Sequence, residues 1–150
     1  MGYHIRIVPT AVVFDAWPKA RDHLMRAVEV ADGRMTEVEL YDRLAKNAQT
    51  LWLVLNDDGD CVAAATTRVE QYPEHRYLRV ETIGGSEFDN WYHDLHDAFI
   101  VWAKAQNCEG MELTGRSGWV RKLKSLGWEQ SFIICTLKFP ENITNDEQGQ

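Results

Sequence analysis

The segment YLRVETIGGSEFDNWYHDLHDAFIVW, residues 77–102, decides the fold of this chain. Its first residues alternate between polar and apolar side chains, which predicts a strand over Tyr77–Ile83. Two glycines follow, and they predict a turn over Gly84–Ser86. Apolar residues then recur at helical spacing and predict an amphipathic helix from about Asn90 to Gln106. A strand, a glycine turn and a helix N-terminus in this order form a place where backbone N–H groups can receive a phosphate.

The flanking sequence predicts the rest of an α/β fold. Helical patterns between the last strands require crossover connections, and therefore some parallel pairing. The run NDDGD at residues 56–60 predicts an antiparallel hairpin. The expected order is β-α-α-β-β-β-α-β-α-β, a mixed central sheet with helices on both faces. The other predicted strands are His4–Val8, Leu51–Leu55, Cys61–Val69, Met111–Thr114 and Phe132–Phe139.

Capping residues predict where the helices begin. Asp15 can cap the first helix. Thr36 and Glu39 have the spacing of a capping box, which places the start of the second helix. Asp89 or Asn90 can cap the third helix.

Length, composition and charge limit the possible functions. The 150 residues, 45% of them hydrophobic and six of them Trp, suit one folded domain with a real core. The net charge of −7 disfavours general binding to nucleic acid or to anionic membranes, because phosphates attract clustered cations. Residues 140–150 are polar and acidic, and we expect them to form a flexible tail after a domain over residues 1–139.

The cysteines indicate a reducing compartment. Cys61, Cys108 and Cys135 lie in or beside apolar runs, where we expect them to be small buried residues. Their odd number, the lack of a CxxC motif and the lack of a signal-like N-terminus predict a cytoplasmic protein. No apolar run approaches the length that spans a bilayer, so no membrane segment is expected.

The element order over residues 4–139 resembles the GNAT N-acetyltransferase superfamily, and LKSLGWE at residues 123–129 looks like the closing segment of that family. The resemblance implies a single GNAT-like domain that holds acetyl-CoA between the strands Tyr77–Ile83 and Met111–Thr114. It implies that backbone groups near Thr82 and Ile83 bind the pantetheine arm. For the phosphates and adenine of CoA it implies Gly84, Gly85, Ser86, Asn90 and Arg116.

The chain departs from the family pattern at several functional positions. The usual pyrophosphate loop is Arg/Gln-x-x-Gly-x-Gly/Ala, whereas this loop carries its glycines early and adds Glu87 and Asp89. Two carboxylates repel a pyrophosphate. The family often has a Tyr on the last helix as general acid, and the matching position is Leu123. With only a short segment after that helix, the chain resembles the short, degenerate GNAT-like proteins of tailed phages.

Catalytic candidates lie on the two strands of the expected cofactor cleft. By the resemblance, Glu81 occupies the strand position where GNAT enzymes often place a catalytic carboxylate that acts as base. Tyr77 is a candidate acid and Glu112 a second candidate base. The alternative reading of Glu81 is a solvated strand carboxylate paired with Arg79 on its own strand or with a cross-strand arginine. Arg68 is the expected cross-strand partner.

Two other clusters have both a functional and a structural reading. His93 and His96 lie three apart on the third helix, a spacing that can bind a metal, but no third ligand has supporting spacing. We expect a solvated helix edge and no metal. The basic residues that follow Arg116 are Arg121, Lys122 and Lys124. Either they contact a phosphate of CoA, as the resemblance implies for this region, or they form a solvated helix face.

The sequence therefore leaves two functions open. The first is an N-acetyltransferase that uses acetyl-CoA to modify a protein or small-molecule amine by direct transfer. The second is a GNAT-fold phage protein that has lost catalysis and acts through protein contacts, as a structural component or a modulator of a host protein. For both, we expect a protein or amine partner in the cytoplasm, which is the host cytoplasm if a phage encodes the chain, and neither membrane nor nucleic acid.

Overall fold

The computed structural model describes residues 2–115 and 117–141. The chain divides into two compact units, with the boundary between Thr114 and Gly115. No helix in the described ranges is both long enough and apolar enough to cross a lipid bilayer. The first unit contains β1 His4–Val8, a 3-10 turn Thr10–Val12, α1 Val13–Val30, α2 Glu37–Ala45, β2 Thr50–Leu55, β3 Cys61–Gln71, β4 Arg76–Gly85, α3 Phe88–Ala105 and β5 Gly110–Leu113. The second unit contains α4 Ser117–Lys124.

The strands of the first unit form one mixed sheet in the order β1-β2-β3-β4-β5. The pairs β1–β2, β2–β3 and β3–β4 are antiparallel, and β4–β5 is parallel because α3 forms the crossover between them. The β2–β3 hairpin turns at residues 56–60, where the Asn56 amide donates to the Asp60 carbonyl at 2.9 Å. Gly59 has a φ of +86° in that turn. The predicted mixed α/β fold is therefore confirmed.

One face of the sheet packs against α3. Trp52 on β2 is its centre, with a T-shaped contact to Phe99 at 4.9 Å between ring centroids and another to Trp102 at 5.9 Å. Its indole N–H donates to the Thr67 hydroxyl at 2.9 Å, so the buried ring has no unpaired polar atom. The predicted apolar stripe of this helix is confirmed, because Trp91, Leu95, Phe99 and Ala103 are all buried.

The other face packs against α1 and α2. Leu51 and Leu53 on β2 contact this layer, and Leu24, Leu40 and Leu44 from the two helices are fully buried in it. The central strand β2 is thus covered on both faces, as its nearly continuous apolar sequence predicts.

Helix starts agree with the sequence only where a local hydrogen bond fixes them. The Thr36 hydroxyl accepts from the Glu39 amide at 3.2 Å, which confirms the capping box of α2. The prediction for Asp15 is wrong, because α1 starts at Val13 and Asp15 lies inside its first turn. The prediction for α3 is also wrong, because its N-cap is Glu87 in the left-handed conformation, with φ of 59°.

The predicted final strand is not formed. Residues 128–141 have no regular secondary structure, and the large apolar side chains of this segment are exposed. Cys135 is exposed for the same reason, contrary to the expectation of burial. Residue pattern alone does not make a strand, because a strand also needs a neighbouring backbone to pair with. The exposed side chains are Phe132, Ile133, Ile134, Leu137 and Phe139.

Candidate functional site

The strands β4 and β5 stop pairing before β4 ends. Their parallel ladder starts at Tyr77–Gly110 and ends at Val80–Leu113. The strand β4 continues through residues 81–85, still paired with β3 on its other side. Among the described residues, no strand pairs with the β5-facing edge of this stretch. The backbone of residues 81–85 therefore offers an edge that an extended ligand can join.

A β-bulge lies where the two strands separate. The β3–β4 register passes from Thr66–Thr82 to Thr67–Val80, so that Glu81 is an extra residue on β4. A bulge bends its strand and increases the local twist, and bulges are frequent beside functional sites. The hydroxyls of Thr66 and Thr82 share a buried hydrogen bond of 2.5 Å next to the bulge. The bulge thus places Glu81 at the point of divergence.

Glu81 is held by two arginines. Leu78 and Val80 pack with α3, so Arg79 and Glu81 lie on the opposite face of β4. The Glu81 carboxylate accepts from Arg79 Nε at 2.6 Å and from Arg68 Nε at 3.3 Å, and its side chain is 10% exposed. The predicted pairing of Glu81 with Arg79 or with Arg68 is confirmed for both partners. The expectation that this carboxylate is solvated is wrong, because the bulge and the two arginines enclose it.

The same arginine joins β4 to β5. Arg79 Nη1 donates to the Glu112 carboxylate at 3.0 Å, and Nη2 donates to the Thr114 hydroxyl at 2.6 Å. Tyr72, in the loop after β3, donates its hydroxyl to the same Glu112 carboxylate at 2.6 Å. Arg68 also pairs with Glu70 at 3.1 Å. We call this cluster the Arg79 network; its members are Arg68, Glu70, Tyr72, Arg79, Glu81, Glu112 and Thr114.

Charges within the network stabilise one another. Burial by itself lowers the pKa of Arg79, but the hydrogen bonds and negative charges of Glu81 and Glu112 outweigh burial, so its pKa is raised. The hydrogen bond to Glu112 raises the pKa of Tyr72, because deprotonation would place two anions side by side. The guanidinium and the phenol therefore both hold their protons at neutral pH.

The predicted glycine turn is wrong, because Gly84 and Gly85 are the last residues of β4. A Cβ on Gly84 would overlap the carbonyl oxygen of His23 on α1, and a Cβ on Gly85 would overlap the carbonyl oxygen of Val62 on β3. Gly85 also has a φ of +141°. The two glycines thus serve the close packing of β4 against α1 and β3.

Two of the amides expected at the phosphate loop, those of Ser86 and Asn90, have internal partners. The Ser86 amide donates to the Val62 carbonyl at 2.9 Å, and the Asn90 amide donates to the Glu87 carbonyl at 2.9 Å. The Tyr3 hydroxyl donates to the Glu87 carboxylate at 2.5 Å, a bond that raises the pKa of Tyr3. The Asn90 side-chain amide donates to that hydroxyl at 3.3 Å. In this arrangement the Ser86 and Asn90 amides are not available to a phosphate.

Tyr77 and Glu81 do not come together. Tyr77 lies at the beginning of the β4–β5 ladder, four residues before Glu81, which corresponds to about 13 Å along a strand. Its ring stacks on His75 at 5.5 Å between centroids and covers Gly110. His75 in turn contacts the Glu109 carboxylate at 2.8 Å, a hydrogen bond that lowers the pKa of Glu109. The structure supports a packing role for Tyr77 and gives it no contact with Glu81.

The remaining candidates lie elsewhere. Arg116 lies outside the described residues, and Arg121, Lys122 and Lys124 are exposed on α4 of the second unit. His93 is exposed, whereas partial burial lowers the pKa of His96. The described residues contain no group of three or more His, Cys, Asp or Glu side chains placed to hold a metal.

Known structures share this architecture at low sequence identity. A predicted acetyltransferase with acetyl-CoA from Clostridium acetobutylicum is 12% identical, with a TM-score of 0.65 over 91% of this chain and 96% of that one. The chain has the acetyltransferase fold. An aminoglycoside antibiotic 6'-N-acetyltransferase from Acinetobacter baumannii is 14% identical, with a TM-score of 0.64 over 93% of this chain and 99% of that one.

A third acetyltransferase shows the same agreement. Glucosamine-6-phosphate N-acetyltransferase from Arabidopsis thaliana is 14% identical, with a TM-score of 0.63 over 93% of this chain and 99% of that one. No protein-family model matches the sequence. No curated protein matches it by sequence. These structures therefore agree with this chain in fold alone. The roles of the side chains in this chain have to be inferred from its own contacts.

Acetyl-CoA fits one part of the site better than the other. The unpaired edge of residues 81–85 suits the amide groups of an extended pantetheine arm. The phosphate loop fits less well, because the Ser86 and Asn90 amides have internal partners. Sequence reasoning found Glu81 and its arginines, but it missed Tyr72. The contact between Tyr72 and Glu112 joins residues 40 apart and follows no local pattern.

Proposed function

We propose that the chain is an N-acetyltransferase that uses acetyl-CoA to modify an amine by direct transfer. The observation that carries the proposal is the unpaired edge of β4 over residues 81–85, which begins where β5 ends its ladder. It lies in a fold shared with a structure that contains acetyl-CoA. An exposed strand edge with a neighbouring divergent strand is a natural receptor for an extended, amide-containing ligand.

In this proposal the backbone of Thr82 and Ile83 pairs with the pantetheine arm, which brings the thioester close to Glu81. The acceptor nitrogen attacks the thioester carbonyl carbon, the carbon–sulfur bond breaks, and the thiolate leaves as CoA. The nitrogen loses one proton and the thiolate gains one, so no further reactant is needed. Glu81 is proposed to hold the acceptor by a hydrogen bond to its N–H group.

The rest of CoA is proposed to contact the end of β4 and the region that follows it. Gly84 and Gly85 offer backbone groups at the end of the strand, and Arg116 remains the predicted side-chain contact for a phosphate. The engaged amides of Ser86 and Asn90 favour phosphate binding that relies less on this loop than the family resemblance implies. The substrate is proposed to be an amine of a protein or of a small molecule.

Hydrogen exchange with and without acetyl-CoA tests this proposal. We expect acetyl-CoA to slow amide exchange in peptides that cover residues 81–86, because the pantetheine arm would occupy the unpaired edge. The control ligand is 3′-phosphoadenosine diphosphate, which lacks pantetheine; it can protect residues 84–86, where the phosphates are proposed to bind, but it should leave residues 81–83 unchanged. Unchanged exchange over residues 81–86 at saturating acetyl-CoA would contradict the proposal. It would favour the alternative of a protein that acts through protein contacts.

A further inference from the structure

The start of α3 carries negative charge of its own. Glu87 is the N-cap of this helix, and Asp89 lies in its first turn. The partial positive charge at a helix N-terminus attracts anions, and here two side-chain carboxylates already lie beside it. Glu87 adopts the left-handed conformation, with φ of 59°, which is uncommon for a residue with a side chain. The contacts of Glu87 therefore have to hold it in this position.

Tyr3 binds the Glu87 carboxylate. Its hydroxyl donates to Glu87 Oε1 at 2.5 Å and accepts from the Asn90 side-chain amide at 3.3 Å. The bond to Glu87 raises the pKa of Tyr3, because loss of the proton would bring two anions together. The hydroxyl therefore remains a donor at neutral pH. Through it, one tyrosine joins the residue before α3 to the first turn of the helix.

The segment that carries Tyr3 is held on both sides of this residue. The Gly2 amide donates to the two oxygens of the Asp57 carboxylate at 3.0 and 3.2 Å. His4 is the first residue of β1, which pairs with β2. The Tyr3 ring packs against the hydrophobic core between the sheet and α3. Several contacts of the fold therefore place Tyr3 beside Glu87.

The turn between β4 and α3 is anchored as well. The Ser86 amide donates to the Val62 carbonyl at 2.9 Å, and the indole N–H of the buried Trp91 donates to the Ser86 carbonyl at 2.7 Å. Glu87 thus follows a residue whose N–H and carbonyl groups are both bound. A phosphate that approaches the start of α3 meets the Glu87 carboxylate unless this side chain turns away from Tyr3.

We propose that Tyr3 and Glu87 form a latch that keeps phosphate away from the start of α3, so that Glu87 determines the specificity for the acetyl donor. The proposal rests on the N-acetyltransferase function and specifies which part of acetyl-CoA the site recognises. With the latch closed, the pantetheine arm on the edge of β4 supplies most of the affinity. The phosphates keep only the proposed contacts outside α3 and contribute less. Acetyl-pantetheine, which lacks the nucleotide, is then nearly as good a ligand as acetyl-CoA.

Coulomb repulsion sets the size of the expected effect. Two unit charges about 6 Å apart repel by an energy that corresponds to about a threefold change in affinity in bulk water, and to about a hundredfold change at the lower effective dielectric near a protein surface. Glu87 is exposed, so we expect an effect between these limits, of about tenfold. Because salt screens exposed charges, the effect should become smaller at high ionic strength.

Glu87→Gln tests the role of the charge, because glutamine has the same length and can still accept from Tyr3. Calorimetry gives the dissociation constants for acetyl-CoA and acetyl-pantetheine, which we expect to be similar in the wild type. In the variant we expect that for acetyl-CoA to fall about tenfold at low salt, and less at 1 M salt, while that for acetyl-pantetheine stays the same.

The matched control is Glu39→Gln, which removes a carboxylate from the first turn of α2. We expect this variant to bind both ligands as the wild type does, because its charge lies at the start of a different helix. Equal changes in Glu87→Gln and Glu39→Gln would overturn the proposal, since they would reflect net charge alone. Unchanged acetyl-CoA binding by Glu87→Gln would also overturn it.

Tyr3→Phe tests the latch, because it removes the hydroxyl and keeps the packed ring. We expect the dissociation constant for acetyl-CoA to fall by about threefold, since Glu87 can then turn away from a phosphate. The double variant with Glu87→Gln should bind acetyl-CoA no more tightly than Glu87→Gln alone, because Tyr3 acts through Glu87. No gain in Tyr3→Phe, or additive gains in the double variant, would overturn the latch. So would weaker binding of both ligands, which would indicate a purely structural contact.

The two ligands separate the failure of this inference from the failure of the function. If neither the wild type nor Glu87→Gln binds acetyl-CoA or acetyl-pantetheine, the N-acetyltransferase function fails and the latch falls with it. If the wild type binds acetyl-CoA and Glu87→Gln binds it no more tightly, only the latch is overturned. Tighter binding of acetyl-CoA by Glu87→Gln, with acetyl-pantetheine unchanged, supports both.

Discussion

At the scale of single residues, the packing of the end of β4 depends on two glycines, which have no side chain. Gly84 lies directly against the α1 backbone at His23, and Gly85 lies against β3 at Val62. Any side chain at either position has to displace main chain, which is less compliant than the end of a long side chain. These contacts fix the distance from β4 to α1 at Gly84 and to β3 at Gly85, so stability and the proposed cofactor binding depend on the same two residues.

Replacing Gly84 with alanine is expected to lower the free energy of unfolding by about 1–3 kcal/mol, because the added methyl group overlaps the His23 carbonyl. Urea denaturation measures the change. The control is Gly118→Ala in α4, where the nearest atom to the new Cβ is 3.9 Å away, and where we expect a gain of up to about 1 kcal/mol. A Gly84→Ala variant as stable as the wild type would contradict the packing described for β4.

Arg79 is the residue on which the polar cluster depends most. Removing its guanidinium with Arg79→Met deprives the Glu81 and Glu112 side chains, 10% and 22% exposed, of the cation that they share. Glu81 then keeps only Arg68, and Glu112 keeps only Tyr72, among the partners described above. We expect the free energy of unfolding to fall by about 1–3 kcal/mol. Urea denaturation of Arg43→Met, which breaks a more exposed ion pair, should show a change within about 0.5 kcal/mol. Equal losses in the two variants would show that the network adds no special stability.

At the scale of elements, α1 and α2 are joined by a two-point ion pair. Arg21 Nε donates to one Glu37 oxygen at 2.6 Å, and Nη2 donates to the other at 3.0 Å. The hydrogen bond to Arg21 lowers the pKa of Glu37 from its ordinary value of 4.5. A carboxyl whose pKa is lower in the folded state stabilises the fold above its unfolded pKa, and this contribution is lost as the pH falls through the folded pKa.

The pH dependence of this pair can be measured with Glu37→Gln. We expect the variant to be less stable than the wild type at neutral pH, and the difference to shrink as the pH falls below 4.5 towards about 3. Urea denaturation at several pH values gives the difference. A stability gap that stays constant down to about pH 3 would show that the Arg21–Glu37 pair does not couple the two helices in solution.

The elements also show what sequence patterns can and cannot predict. Thr36 and Glu39 interact within one turn, so the start of α2 was visible in the sequence. The start of α3 was not visible in the sequence. Glu87 adopts a left-handed conformation, and its carboxylate binds Tyr3, which lies 84 residues earlier in the chain. Residues 132–139 carry a strand-like pattern but do not form a strand. Local periodicity therefore predicts most of the elements but not the final strand, and the ends and pairing of the elements depend on tertiary contacts.

The candidate site was likewise predictable from the sequence only where its contacts are local. Alternation along β4 places Arg79 and Glu81 on one face, so their pairing was predictable from the sequence. The bulge that sets Glu81 at the point of divergence was not, since it arises from the register between β3 and β4. For the glycines the sequence pattern was misleading. Gly84 and Gly85 resemble a phosphate-binding turn, but they serve to pack β4 against α1 and β3.

At the scale of the whole molecule, the fold is shared with acetyltransferases while the sequence identity is only 12–14% for the three structures described. At that identity the structures share a fold with this chain, and a fold by itself does not identify a reaction or a substrate. A net charge of −7 adds a long-range attraction for a positively charged acceptor. Together these features describe an acidic protein whose divergent strands are proposed to hold acetyl-CoA.

Calorimetric titration with acetyl-CoA is the most direct test of this account. We expect micromolar binding, and a gain of about 2.7 kcal/mol in the free energy of unfolding when the ligand is present at 100 times its dissociation constant. Wild-type binding by Arg43→Met would show that the measurement is not sensitive to general surface changes. No heat and no thermal shift at millimolar acetyl-CoA would contradict the account, because the unpaired edge of β4 would then have no cofactor to bind.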